Sequence, residues 1–563
     1  MPDTEALKSL LRRLDGRSYS AFKDLKGSWL LGNAEIILDH IQGDPFASPS
    51  RIRGRIRTNV PGSWSTNPAR KMGVEDWLLR RFGAGLRGQR RGSGRSGEIR
   101  VYRPGPEVVR RSAVMFSDDG FAEVRFLVGL PARGRRILGR EAFELLTKDV
   151  VLALETLRNV GEMVELEDHV ASVVNQERLR GQLQENGLIA FIANESILPR
   201  RSGVDRSPLL SAVPFRSPPS MQVALEGESG PVEGLGISAG VTLIAGGGFH
   251  GKSTLLQAIQ WGHLNHIPGD GREQVVSTAD TVKVRAEDGR RVERVDISPF
   301  LGDLPGGKTT APFCTDDASG STSQAAAIVE SIETGAKVLL LDEDTSATNL
   351  LARDDRMKAL VPPAQEPITP FVERVQELSE THGVSTVMVV GGVGAYLSVA
   401  DSVILMNEWV PSDGTARAKA LAGPAPTAAP HGISATERCV TSSSLRPTGK
   451  GRVRARDDKR VDYGHEEIDL AAVEQVLDGA HSYTLGQSIR LIGDKLADGK
   501  TCLPALLDAL ELLLIEDGAD ALSPFREPVG NLIWPRRYEV AAAINRLRTL
   551  RVVYGQQDVE NEG

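Results

Sequence analysis

Residues 246–253 read Gly246-Gly247-Gly248-Phe249-His250-Gly251-Lys252-Ser253, and Thr254 follows. The spacing satisfies G-x-x-x-x-G-K-[ST], a loop whose backbone N–H groups turn inward around phosphate oxygens. Lys252 is placed to reach the β- and γ-phosphates of ATP, and the Ser253 hydroxyl to ligate Mg²⁺. His250 reads as a loop-shaping residue in preference to a catalytic one. Hydrolysis needs a second set of groups, and the run Ala336-Lys-Val-Leu-Leu-Leu-Asp342-Glu343-Asp344 supplies adjacent acids at the end of an apolar strand. Asp342 would hold Mg²⁺ directly or through water, and Glu343 would polarise the attacking water as general base.

Between the two lies Ser319-Gly320-Ser321-Thr322-Ser323, followed by a helical run; Ser319 stands 23 residues (342 − 319) before Asp342. A Ser-Gly turn, one helix and then the acidic strand is the order found in ABC-type ATPases. In those proteins the turn faces the γ-phosphate held by the opposite subunit. Hydroxyls and N–H groups at a helix start suit that anion. One chain carries one phosphate loop and one such segment, so acting in trans they require an ATP-dependent, head-to-tail homodimer.

The elements that must position these groups are legible in outline. The runs 240–245, 338–341, 385–390 and 403–406 are continuously apolar, as strands of a buried parallel sheet should be, and they alternate with helical patterns. The expected class is α/β: an ABC-type phosphate-loop core with a mainly parallel sheet. An α+β domain is expected before it and a mainly helical one after it. The expected divisions are 1–190, 191–410, a flexible basic linker at 411–460 rich in Pro, Ala, Gly and Ser, and 461–563. Amphipathic helices are expected at Thr4–Leu14 and Arg140–Arg158 and a strand at Ala122–Val128, with a mobile Gly/Arg/Ser loop over 80–100. Composition is that of an ordinary globular chain, 40% hydrophobic and 25% charged. With no apolar run near membrane length, no signal-like N-terminus and three dispersed cysteines, a cytoplasmic protein without a membrane partner is expected.

Longer stretches carry a family resemblance. GGGFHGKSTLL, NHIPGDGRE (265–273), VRAEDGRRV (284–292), DISPFLGDLPGGK (296–308), ASGSTSQAA (318–326), LLLDEDTSATNLLARDDRM (339–357), EPITPF (366–371) and STVMVVGG (385–392) together resemble the family of predicted ATPases of the ABC class. QGDPFASPSRIR (42–53), GLPARGR (129–135) and PRRYEVAAAINRLR (535–548) extend the likeness over nearly the whole chain, apart from 411–460. The resemblance implies a three-part protein working as a dimer. The family's eukaryotic branch is associated with mitochondrial RNA processing, which implies RNA as the partner. Family members usually read GGSGDY where this chain reads GGVGAY (391–396), losing a hydroxyl and a carboxylate. No transporter-type switch histidine follows Val390.

The formal net charge of −7 excludes a globally basic nucleic-acid binder, yet Arg51–Arg111 holds 16 Lys/Arg against 4 Asp/Glu. Arg51, Arg53, Arg55 and Arg57 alternate along a strand-like segment, so they would share one face and could follow a phosphate backbone. Aromatic residues are scarce there, so extensive base stacking is not expected. The reading is a nucleic-acid-coupled ATPase; the alternative is a slow, nucleotide-switched scaffold for a protein partner. Arg285 and Arg290, flanking AEDG, read equally as phosphate clamps or as partners of carboxylates within the domain.

Overall fold

The computed structural model describes residues 1–553 except 87, 204, 303, 305–306, 362–364, 427–431 and 434–437. Two compact units form. One contains Met1–Asn175, His266–Pro268 and Asp517–Trp534; the other contains Gln176–Asn265, Gly269–Glu516 and the residues from Pro535 on.

In the first unit, helix α1 (Thr4–Leu14) is capped by Asp3, whose carboxylate accepts the Ala6 N–H, and it buries Leu7, Leu11 and Leu14. Strands β1 (Gly27–Leu31), β2 (Ala34–His40) and β3 (Ser50–Arg57) pair antiparallel in that order. Helix α2 (Pro68–Gly85) follows, then β4 (Val114–Phe116) and β5 (Phe121–Val128); β5 pairs with β3, with β4 and with the short Ile99–Arg100 strand. Along β3, Ser50, Ile52, Gly54 and Ile56 are buried and the arginines take the other face, the two-residue period of a half-buried strand. A side chain at Gly54 would meet Leu154 Cδ1 at 2.5 Å, so the buried face admits none there.

Two expectations change in this unit. The presumed loop 80–100 begins inside α2, and its Arg91 is 12% exposed, donating to Glu141 at 2.8 Å and Asp149 at 2.9 Å. Three nearby acids, including Glu144, give that arginine a fixed place. The helix expected over Arg140–Arg158 is interrupted: Leu145–Val150 is a π-turn between Gly139–Glu144 and Val151–Glu155. Its extra residue shifts the buried face, so that Leu145 and Val151 join Leu146, Val150 and Leu154 in the core.

The second unit is built on a six-stranded sheet. Its elements are β6 (Val241–Gly246), α3 (Lys252–Trp261), β7 (Thr281–Lys283), α4 (Gly320–Glu333), β8 (Val338–Asp342), β9 (Ser385–Val390), β10 (Ser402–Asn407) and β11 (Val410–Asp413). The strand order is β7-β8-β9-β6-β10-β11, parallel except for the last pair. Burial on both faces explains the continuous apolar runs. Leu243, Leu339, Leu341 and Met388 enter one core, while Ile244, Leu340, Val387 and Val389 enter the other. A second sheet, antiparallel, joins Gln222–Gly227, Gly230–Ser238, Leu188–Ala193 and Val275–Ser277.

The stretch expected as a flexible linker, 411–460, is in large part folded. It contains β11, the helix Thr415–Leu421, the Cys439–Val440 strand and the Val453–Ala455 strand, while 427–431 and 434–437 lie outside the described residues. Buried anchors hold it, among them Arg438, whose guanidinium grips Glu333. Beyond it, the helices Gly479–Leu491 and Leu503–Asp517 are accompanied by an antiparallel sheet of Val453–Ala455, Arg460–Tyr463 and Glu466–Asp469. No disulfide joins the three cysteines; the Cys439 thiol donates to the Lys500 carbonyl, and Cys439 and Cys502, distant in sequence, face each other across an isolated antiparallel bridge. Among the described residues no helix is long and apolar enough to cross a membrane.

Candidate nucleotide site

The glycine-rich segment links the carboxyl end of β6 to the first turn of α3. Gly246 and Gly251 adopt φ of +145° and +93°, conformations that side chains resist. Space is equally strict: a Cβ on Gly246 would meet the Met406 carbonyl at 2.3 Å. The Lys252 ammonium donates to the carbonyls of Gly246 and Gly247, both at 2.8 Å, which holds it across the loop it belongs to. Ser253 is exposed at the start of α3, Thr254 partly so, and Gly247, Gly248 and Phe249 are open to solvent. His250 turns away from this role: its Nδ1 accepts the Glu408 N–H at 2.7 Å and its carbonyl accepts the Trp409 N–H at 3.1 Å.

Register brings the acids to the same edge. Val389 of β9 pairs with Ile244 of β6 on one side and with Asp342 of β8 on the other. Asp342 is 5% exposed. Glu343, the next residue, accepts the N–H groups of Gly391 at 2.6 Å and Gly392 at 3.1 Å, immediately after β9. Behind it, burial and then the Glu343 charge push the Tyr396 phenol well above its ordinary range, and its hydroxyl donates to the Leu351 carbonyl.

The Ser253 hydroxyl lies in the first turn of α3 and the Asp342 carboxylate closes β8, two oxygen donors from separate elements, and among the described residues no group of three His, Cys, Asp or Glu could hold a metal alone. Sparse protein ligation fits Mg²⁺, which keeps waters and shares phosphate oxygens with one or two protein groups.

Ser319 stands at the N-cap of α4, with Gly320 as its first residue. The five expected contact residues divide. Ser319 is exposed and Gly320 and Ser321 are partly so, whereas Thr322 and Ser323 are 8% and 1% exposed. Thr322 Oγ1 donates to the Ser319 carbonyl, and Ser323 Oγ donates to the Gly320 carbonyl while accepting the Glu287 N–H. Those two hydroxyls serve the helix start and are not presented outward, a correction to the run read from the sequence. One turn on, buried Gln324 donates to Ser346 Oγ and accepts the Ala347 N–H, joining α4 to the segment after Glu343.

The arginine row lies on one face of β3, but carboxylates answer it. Arg53 binds Asp39 with two nitrogens, at 2.7 and 2.8 Å, and also Glu123; Arg55 pairs with Glu35. Arg51 reaches Glu527 and lies 4.0 Å over the Phe525 ring; Arg57 is exposed at the strand's end. The hydrogen bond that Arg53 donates to Asp39 leads in holding its guanidinium charged more firmly than usual. Alternation located the row; acids from other strands and from 517–534 could not be read from it. Arg290 is likewise paired, with Glu330 at 2.5 Å, and Arg285 with Glu474 at 3.5 Å, which favours the carboxylate reading over a phosphate clamp.

Sequence reasoning missed the glycine amides under Glu343 and the Glu408–Trp409 turn beside His250. The turn carries no Asn-Gly or Asp-Gly pair, and the strand after it, Val410-Pro411-Ser412-Asp413, is not an apolar run, so nothing local announced it.

Comparison with known proteins accords with this architecture. Residues 4–159 match the N-terminal domain of ATPases of the ABC class, residues 162–441 the phosphate-loop domain of ABC ATPases, and residues 452–553 the MRB1590 C-terminal domain. Uncharacterized protein MJ1628 of Methanocaldococcus jannaschii is 37% identical over 194 residues, 33% of this chain and 43% of that protein. The match thus spans under half of that relative's length. Among solved structures, the ADP conformation of MJ1267, an ATP-binding cassette of an ABC transporter, aligns at 14% identity over 41% of this chain and 93% of its own, with a TM-score of 0.25. The cbiO1 structure from Clostridium perfringens, part of the ABC transporter complex cbiONQ, aligns at 15% over 40% and 87%, with a TM-score of 0.23. With N-terminal, phosphate-loop and C-terminal parts matched in order along its length, the chain belongs to the ATPases of the ABC class.

Proposed function

We propose that the chain hydrolyses ATP to ADP and phosphate with Mg²⁺. The supporting observation is the meeting of the Gly246–Ser253 loop, Asp342 and Glu343 at one edge of a single parallel sheet. Lys252 and the loop amides bind the phosphates, Ser253 and Asp342 hold Mg²⁺, and Glu343 orients and deprotonates water. Ser319, Gly320 and Ser321 of a second copy complete the site, so that ATP closes a homodimer and hydrolysis loosens it. Steady-state turnover of wild type and Lys252→Ala tests this. Equal rates would overturn the assignment, as would full-rate hydrolysis by a protein that stays monomeric with ATP and Mg²⁺.

The cycle is coupled to a nucleic acid, RNA, through the basic stretch 51–111. Support comes from its excess of 12 positive charges (16 − 4). Stimulation by single-stranded RNA that fades with salt is the expected result. The ion pairs of Arg51, Arg53 and Arg55 favour a second reading, a nucleotide-switched scaffold for a protein partner, because phosphate would have to displace carboxylates. Turnover indifferent to RNA, to single-stranded DNA and to duplex would select it.

A further inference from the structure

The turn between β10 and β11 is built from residues ill-suited to it. Asn407 pairs with Val410, leaving a two-residue loop in which Glu408 and Trp409 have φ of +48° and +65°. Positive φ at both central positions marks a type I′ turn, which favours Asn-Gly over a glutamate and a tryptophan. Such conformations persist where surroundings over-determine them, and they cluster at ligand clamps. Here the surroundings are the phosphate loop itself. Both turn amides are tied to His250, and the Trp409 indole lies against Gly251, so close that a Cβ there would meet its Cδ1 at 2.6 Å. Yet this large ring remains 44% exposed.

Strand order states which end of a nucleotide would meet it. The acids follow β8 and the amides holding Glu343 follow β9, both on one side of β6, whereas β10 and β11 lie on the other. A triphosphate cradled after β6, with its terminal phosphate toward Glu343, must direct its nucleoside toward β10. Trp409 stands on that side.

We propose that Trp409 is the base platform of the site, with the purine ring of the bound nucleotide stacking on the exposed face of the indole. The proposal rests on the ATPase reading above and adds to it the residue that grips the base. Every base offers a π-face to such a ring, and a purine offers the larger one.

The test is calorimetric titration of the full chain, as wild type, Trp409→Ala and Trp409→Phe. The ligands are a non-hydrolysable ATP analogue and inorganic tripolyphosphate, each with Mg²⁺. Trp409→Ala should weaken the analogue roughly tenfold and leave tripolyphosphate unchanged, while Trp409→Phe keeps most of the affinity. Unchanged tripolyphosphate binding also certifies an intact loop. Equal losses for both ligands would reduce Trp409 to a loop support, and no loss for either would remove it from the site; each result overturns the proposal. If Trp409→Phe falls as far as Trp409→Ala, stacking is likewise refuted. Failure of the wild type to bind either ligand would instead strike the nucleotide reading on which the proposal stands.

Discussion

Glu343 is held by Gly391: the carboxylate takes that residue's amide hydrogen at 2.6 Å and the next amide, from Gly392, at 3.1 Å. Two backbone donors orient the proposed base from the end of the neighbouring strand. Val393 and Ala395 of the GGVGAY stretch fall after these two glycines and leave the donor pair in place.

Glu343→Gln should therefore stop turnover while sparing ATP affinity. A loss of about 10²- to 10⁴-fold in kcat is expected for a general base. The same variant should accumulate as an ATP-bound dimer, read by sedimentation; a monomer under saturating ATP would contradict the sandwich.

Lys252→Ala should act on binding. Its ammonium spans two loop carbonyls, and a charge-assisted contact to phosphate contributes about 1.5–3 kcal/mol, hence a Kd raised roughly 10- to 100-fold. Melting without nucleotide should shift little, because the ammonium is only partly buried. Unaltered affinity would show that the loop holds something other than phosphate.

Arg438 and Glu333 form an ion pair with side chains 2% and 3% exposed, joined at 2.6 Å. Removing one partner should cost about 3–5 kcal/mol, since a buried charge is left unanswered. Arg438→Met is expected to lower the denaturation midpoint steeply, and Arg438→Met with Glu333→Leu to recover part of the loss. A double variant as unstable as the single one would assign the cost to packing.

Glu75 offers a pH signature in the first unit. Burial pushes its carboxyl up to about 7, against the Phe116 N–H it accepts and the nearby Lys71. The folded form thus holds its proton more tightly than the unfolded chain. Its contribution is complete below pH ~4.5 and is lost as pH rises through about 7. Glu75→Gln should flatten the fall in melting temperature between those values and raise it at pH 8. Parallel curves for the two proteins would discard the assignment.

Much of the sheet was legible because its determinants are local. The unbroken apolar run Val338–Leu341 reports burial on two faces, and the Gly246–Ser253 spacing reports a phosphate loop, without any knowledge of neighbours. What stayed hidden depends on strand order. Gly391 reaches Glu343 because β9 lies beside β8, and Trp409 reaches Gly251 because β10 lies beside β6. The arginines of β3 illustrate the opposite limit. Alternation put them on one face, yet Asp39, Glu123 and Glu527, which neutralise that face, come from a neighbouring strand, from β5 and from a distant segment.

That distant segment bears on how the protein is made. Residues 517–534 belong to the first unit, where Asp520 grips Arg125 with bonds of 2.6 and 2.9 Å and Leu532 exchanges hydrogen bonds with Ser112. During synthesis the ribosome delivers nearly the whole second unit before these groups emerge. Residues 1–175 therefore wait, lacking this piece, until residues 517–534 have been made. A fragment cut at the family boundary near residue 159 inherits the same gap permanently, with Arg125 stripped of its strongest carboxylate.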